Sequence, residues 1–308
     1  MRRPYGAARI ETRFSDRPLV NSLKEEGVMP TLRNSTSMIA AVVVLFAVNI
    51  LISISFAEID SATVAGIWLF DECQGSVAKD FSKRGHDGEI GKGIKWTDGQ
   101  YGSKSLHFPG NAVVIVPHDD SLNLVTWTIT AWIRAEFKNG WVEFVSKSDP
   151  VGNTDFRNYV LQIENDTGLL RPHFTQGAQQ WKLTAGTTDL RDGKWHHVAG
   201  TYDRNSIRAY VDGESEGEAA FNNVPDTNEE PLVIGAIAPT KNFFTGAIDE
   251  VGLFNAALTQ DDIQTVMEEG LAKALAVFPS GKLTTTWAYI RMYCQIKDEK
   301  PQMNTDGR

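Results

Sequence analysis

The sequence predicts an all-β fold, a sandwich over roughly residues 61–270, behind an N-terminal hydrophobic segment. Short apolar and β-branched runs recur after residue 61, and turn dipeptides separate them. No long amphipathic helix interrupts the runs, which argues against a parallel βαβ sheet.

Residues 1–37 carry scattered arginines (Arg2, Arg3, Arg9, Arg13, Arg17) without an apolar period, and a disordered leader is expected there. Met29 offers a second possible start of translation. Met38–Ala57 reads MIAAVVVLFAVNILISISFA, an uncharged run about long enough to cross a bilayer. Its end, Ser55-Phe56-Ala57, has the small residues a signal peptidase needs, which favours a cleavable signal. The length of the run favours an uncleaved anchor, and both stay open.

Strand-like runs follow at Thr63–Phe70, Ser105–Phe108, Ala112–Val116, Trp127–Arg134, Trp141–Ser146, Tyr159–Glu164, Leu169–Phe174, Trp195–Tyr202, Ser206–Val211, Pro231–Gly235 and Gly246–Phe254. Asp98-Gly99, Pro109-Gly110, Asn139-Gly140, Asp192-Gly193 and Asp212-Gly213 supply turns between them. In Trp127–Ile133, residues 127, 129, 131 and 133 form an apolar core face, and Trp132 shares the other face with Thr128 and Thr130. One short helix is expected late: Thr259 as N-cap, Asp261 and Asp262 in the first turn, Ile263, Val266 and Met267 at helical spacing, and Gly270 as the stop. Residues 271–308 read as a C-terminal tail.

The composition, 42% hydrophobic and 10% aromatic, suffices for a core. A net charge of −9 removes any global pull toward nucleic acid. The two cysteines, Cys73 and Cys294, are far apart; a disulfide and two separate thiols both remain open.

Several segments, in order, resemble the laminin-G-like jellyroll domains of bacterial extracellular proteins, within the concanavalin A-like lectin/glucanase superfamily. They are Trp68-Leu69-Phe70-Asp71-Glu72, then Asp80 and Gly85-His86-Asp87-Gly88, Gly102–Gly110, Trp127–Ile133, Gly193–Asp203 around Trp195-His196-His197-Val198, Tyr210-Val211-Asp212-Gly213, Ile234-Gly235, and Phe244–Val251 with Leu253–Leu258. One departure is Gly252, where family members often carry a basic residue. The resemblance implies a two-sheet antiparallel jellyroll and says less about function, because that fold serves lectins, adhesion modules and hydrolases alike.

Such folds often carry a structural calcium, and Asp71, Glu72, Asp249 and Glu250 lie at the two sequence ends that a jellyroll brings together. Asp71 and Asp249 are the expected metal residues for Ca²⁺; the alternative is that these carboxylates cap turns and accept backbone N–H groups. The loop acids and amides Asp149, Asn153, Asp155 and Asn158 lack EF-hand spacing. His196 and His197 are adjacent on a strand and face opposite ways, so they cannot share a metal.

Gly213-Glu214-Ser215-Glu216-Gly217 matches G-x-S-x-G, but no helix and no later histidine accompany it. A glycosidase needs two flanking carboxylates; Glu214, Glu216 and Glu218 alternate but have no aromatic neighbour. For ligand binding, aromatic rings stack on sugars and amides bind hydroxyls. The candidates are Trp141, Tyr159, Gln180, Trp181, Asn242 and Phe243, with Phe156, Gln179 and Phe244 behind them, and core packing is the competing role for each. Asn165-Asp166-Thr167 is a glycosylation sequon.

The expectation is a non-catalytic, secreted or membrane-anchored module outside the cytoplasm. It recognises a glycan or an extracellular protein, has no nucleic-acid partner, and touches a membrane only through 38–57. An adhesion module without a discrete site, and a sandwich glycoside hydrolase or lyase, are the alternatives.

Overall fold

The computed structural model describes residues 59–275 except 102–103, 137–138, 150–154, 178–179 and 239–240. The leader, the hydrophobic run 38–57, Gln179, Cys294 and the tail from 276 lie outside the described residues. Among those described, no helix is long and apolar enough to cross a membrane.

The strands are β1 (Val64–Trp68), β2 (Val77–Ala78), β3 (Gly88–Ile90), β4 (Lys95–Asp98), β5 (Lys104–Pro109), β6 (Val114–Val116), β7 (Trp127–Ala135) and β8 (Val142–Asp149). They continue as β9 (Phe156–Ile163), β10 (Leu170–Thr175), β11 (Trp181–Leu183), β12 (Trp195–Tyr202), β13 (Ser206–Val211), β14 (Glu214–Ala220), β15 (Leu232–Ile234) and β16 (Thr245–Phe254). One sheet runs β14-β13-β12-β7-β16-β5-β4, with β1 also paired to β16; the second runs β11-β10-β9-β8-β15-β6-β3-β2. All these strand pairs are antiparallel.

The first and last strands do meet: Val64 pairs with Phe254 and Trp68 with Val251. The β13–β14 hairpin turns on Asp212 (φ 50°) and Gly213 (φ 80°), the left-handed pair that a tight two-residue turn requires. The polar stretch 214–220 is thus an edge strand, which its weak apolar content hid.

Between the sheets, Trp127, Ile129, Ala131 and Ile133 of β7 pack against Phe144 of β8 and Tyr159, Leu161 and Ile163 of β9 in one core. Trp132 turns outward, with its ring 5.8 Å from Tyr101 and 5.3 Å from His197. The Asp80 segment is a polar clasp. Its carboxylate accepts the N–H groups of Ile67 (3.1 Å), Ser82 (2.8 Å) and His86 (3.0 Å), while Trp68 Nε1 donates to the His86 carbonyl at 2.9 Å.

Helix α1 (Gln260–Glu269) starts with a reciprocal capping box between Thr259 and Asp262. It buries Ile263 and Val266, while Met267 stays at the margin. Packing continues past Gly270 into α2 (Leu271–Ala274): Leu271 and Leu275 join Ile59, Val64, Ile67, Ala199 and Phe254 in a second cluster. Ala199 belongs to β12 and Phe254 to β16, so the helical segment covers part of the first sheet's outer face. The second sheet's outer face carries the groove described next.

Candidate functional site

Alternation along β8, β9 and β10 sends apolar residues inward and leaves polar ones on the outer face of the second sheet. Cross-strand register then gathers them: Glu143 lies opposite Gln162, and Gln162 opposite Arg171. On β11, Leu183 pairs with His173 and Trp181 with Thr175. The result is a groove of about 470 Å³, lined by Glu143, Arg157, Gln162 and Arg171, with Trp141, Trp181, Lys241, Asn242, Asp155 and Leu183 around them.

Trp141 and Trp181 are 42% and 40% exposed, unusual for so large an apolar side chain. Each is backed by a guanidinium: Arg157 lies 4.1 Å from the Trp181 ring centroid and Arg171 5.4 Å from that of Trp141. His173 adds a ring contact to Trp181 at 5.3 Å. Arg157 is itself fixed by a two-pronged pair with Asp155, at 2.7 and 3.1 Å. It also lies 2.9 Å from His173 Nε2. A guanidinium only donates, so that nitrogen accepts and the imidazole is neutral. Burial, and then the Arg157 charge, hold the His173 pKa well below its ordinary value.

Glu143 forms the floor. Its Oε1 accepts from Gln162 Nε2 at 2.6 Å and Asn242 Nδ2 at 3.3 Å, and lies 3.8 Å from Arg157. Its Oε2 is buried without a hydrogen-bond partner, as is Arg171 Nε. Burial pushes the Glu143 carboxyl up to about 7, against the opposing pull of Arg157. Asn242 takes φ 55°, a left-handed turn that asparagine tolerates, and its carbonyl accepts the Glu143 N–H at 3.2 Å.

Of the residues expected from sequence, Trp141, Trp181 and Asn242 meet in this groove. Tyr159 does not: it is fully buried between the sheets, and its hydroxyl donates to the Leu122 carbonyl at 3.1 Å. Its parity with Leu161 and Ile163 dictates that place. Phe243 packs against Val113, Val233 and Ala236, away from the groove, and Phe244 is core. Gln180 is exposed in the turn before β11, where its N–H donates to the Gly177 carbonyl at 3.2 Å. Phe156 opens β9 half-buried.

Glu143, Arg157, Gln162 and Arg171 were not anticipated. Their signal was single polar residues inside otherwise apolar strands.

The acid cluster near the domain's ends is buried and largely engaged by backbone. Asp71 Oδ1 accepts Lys104 N–H at 3.0 Å; Asp249 Oδ2 accepts Gln100 and Tyr101 N–H at 2.9 and 3.1 Å; Glu250 Oε2 accepts the Leu271 N–H. Asp249 Oδ1 is buried without a hydrogen-bond partner. Burial first, then the neighbouring Glu250 and Asp71 charges, raise the Asp249 pKa well above the ordinary carboxylate range. Among the described residues, no group of three or more His, Cys, Asp or Glu side chains is placed to hold a metal.

Cys73 is half-buried, with Sγ 3.2 Å from the Asp71 carbonyl. His196 bridges Asp212 and Asp192, at 2.8 and 3.2 Å, while His197 is buried against Trp132, so the two do face apart. Ser215 sits in edge strand β14 rather than at a strand-to-helix elbow. Glu216 is tied to Thr187 N–H at 2.7 Å and Thr188 N–H at 3.0 Å.

A family model described as the concanavalin A-like lectin/glucanases superfamily, of laminin G type, matches residues 108–264. No curated protein matches the sequence. Among solved structures, the chain is similar to domain 4 of AbnA, a GH43 extracellular arabinanase from Geobacillus stearothermophilus, in complex with arabinotriose. That likeness has 19% identity and a TM-score of 0.53, over 67% of this chain and 98% of that one. It is also similar to the binding domain of Paraclostridial mosquitocidal protein 1, at 16% identity and a TM-score of 0.55, over 67% of this chain and 52% of that one. A third is the ligand-binding domain of botulinum neurotoxin serotype D in complex with N-acetylneuraminic acid, at 14% identity and a TM-score of 0.54, over 68% and 51%. The chain therefore spans about half the length of the two toxin domains. At these identities the likeness establishes the fold.

Proposed function

The chain belongs to the concanavalin A-like lectin/glucanase superfamily, and we propose that it is a glycan-binding, non-catalytic module that uses the groove on its second sheet. The observation that carries this is the pair of exposed, guanidinium-backed tryptophans, Trp141 and Trp181, flanking a floor of carboxyl, amide and guanidinium groups. A sugar ring offers an apolar face to an indole and a rim of hydroxyls to such a floor. Backing each ring with a fixed cation keeps it in place before the ligand arrives, which lowers the entropy cost of binding. Glu143 Oε2 and Arg171 Nε lie buried beneath the groove without hydrogen-bond partners, so the hydroxyl-binding groups are the amides and the exposed polar atoms around them.

The groove's chemistry favours holding over cutting. Asp155 is committed to Arg157 through both oxygens, and the free oxygen of Glu143 is buried. A glycosidase needs one carboxylic acid and one carboxylate open on either side of the scissile bond. Calcium at Asp71 and Asp249 is a second part of the proposal. Its support is the buried Asp249 Oδ1, which has no hydrogen-bond partner; Asp71 Oδ1 and Asp249 Oδ2 already accept backbone N–H groups, so a cation would rely on that remaining oxygen and on backbone carbonyls. Placement outside the cytoplasm, secreted or anchored, rests on the uncharged run Met38–Ala57.

The test is a glycan array probed with the purified chain, with calcium and with EDTA, followed by a reducing-end assay on each hit. Saturable retention without released ends is expected. Release of reducing ends from a retained polysaccharide would overturn the non-catalytic part. Silence across the array would overturn the glycan part.

A further inference from the structure

The charges lining the groove do not cancel. It has three cations, Arg157, Arg171 and Lys241, against two carboxylates, Asp155 and Glu143. Glu164, just outside that lining, answers Arg171, so Lys241 is the cation of the groove left without a close ion pair among the described residues. Arg157 is held by Asp155 at 2.7 Å, and Arg171 Nη1 by Glu164 at 2.5 Å. Lys241 is exposed on the rim beside Asn242. It lies close enough to Glu143 for its charge to favour ionisation of that carboxyl. Glu143, the remaining acid, is the one that burial drives toward its neutral form.

We propose that the groove takes a glycan bearing a carboxylate, a uronic or sialic acid unit, with Lys241 as the partner of that carboxylate and the two tryptophans stacking on the sugar rings. This rests on the glycan reading of the same groove. A neutral sugar would use the tryptophans and amides and leave Lys241 idle. A carboxylated one brings the charge that the rim lacks, and a charge-assisted pair in a partly desolvated groove is stronger than its counterpart in open water. The groups facing this carboxylate are Lys241 in attraction and Glu143 in repulsion, since Arg157 and Asp155 pair with each other and Arg171 pairs with Glu164.

The experiment measures affinity of the full chain for two matched pairs: oligogalacturonate against the same oligomer with its carboxyls reduced, and 3′-sialyllactose against lactose. The pairs separate a uronate from a sialate source. The acidic member of at least one pair is expected to bind about five- to tenfold more tightly than its neutral counterpart, the preference shrinking with added salt. Lys241→Gln, an exposed substitution, is expected to erase most of that preference and leave neutral-sugar binding in place. Equal affinity within both pairs would overturn the proposal and leave the glycan reading standing, as would a Lys241→Gln protein that keeps the full preference. Failure to bind any of the four probes, or any glycan on the array, would overturn both.

Discussion

Replacing Glu143 by Gln isolates the cost of keeping a carboxyl at the bottom of the groove. The side chain is 1% exposed, and burial moves its pKa from 4.5 to about 7. Below about pH 4.5 the group is protonated in both folded and unfolded chains and imposes no charge penalty. Between 4.5 and 7 the folded state holds a proton that the unfolded state has released, so stability falls as pH rises. Above 7 the penalty is fully present, and a displacement of this size corresponds to roughly 3 kcal/mol. Glutamine keeps an oxygen for Gln162 and Asn242 and never ionises. The variant should therefore match the wild type near pH 4.5 and exceed it by roughly 3 kcal/mol at pH 8. Urea unfolding at half-unit pH intervals reads this out as the difference between the two proteins. The difference matters because other groups titrate too. Glu72 is pushed up to about 7, mainly by burial, and acts in the same direction. His197 is pushed down to about 3 by burial, so its contribution is present above 6.5 and lost as pH falls toward 3. A wild-type-minus-variant difference that stays flat from pH 5 to pH 8 would refute the reasoning.

Trp181→Ala should weaken glycan binding about tenfold, a typical stacking loss, with little change in unfolding midpoint because the ring is 40% exposed; titration calorimetry and a thermal melt check the two halves. Gly200→Ala should destabilise by about 1–3 kcal/mol. An added Cβ would lie 2.7 Å from both Leu161 Cδ2 and Pro172 Cβ on the facing sheet, and the proline atom cannot swing away; chemical denaturation measures it. Asp249→Asn should raise the melting temperature in EDTA at neutral pH by removing a carboxyl whose ionisation is opposed by burial and by Glu250 and Asp71, and should abolish any rise that calcium gives the wild type.

Much of the fold was legible because each strand carries its own punctuation. Trp127–Ile133 announced its inner face by alternation, Asp212-Gly213 its turn, and Thr259 its helix. The meeting of first and last strands followed from the family resemblance rather than from spacing. The groove was only partly legible. Trp141, Trp181 and Asn242 stood out as aromatic and amide residues beside turns. Glu143, Arg157, Gln162 and Arg171 sit inside strands whose apolar character dominated, and their convergence depends on cross-strand register, which no local pattern states. Tyr159 shows the reverse error, since its aromatic ring suggested contact while its parity with Leu161 and Ile163 already assigned it to the core.

The most direct measurement is titration of the tightest array glycan into the wild-type chain and into a Trp141→Ala/Trp181→Ala double variant of unchanged melting temperature. Saturable one-site binding to the wild type and none detectable to the double variant is the predicted result. Equal affinity for both proteins would contradict the placement of the binding site in this groove.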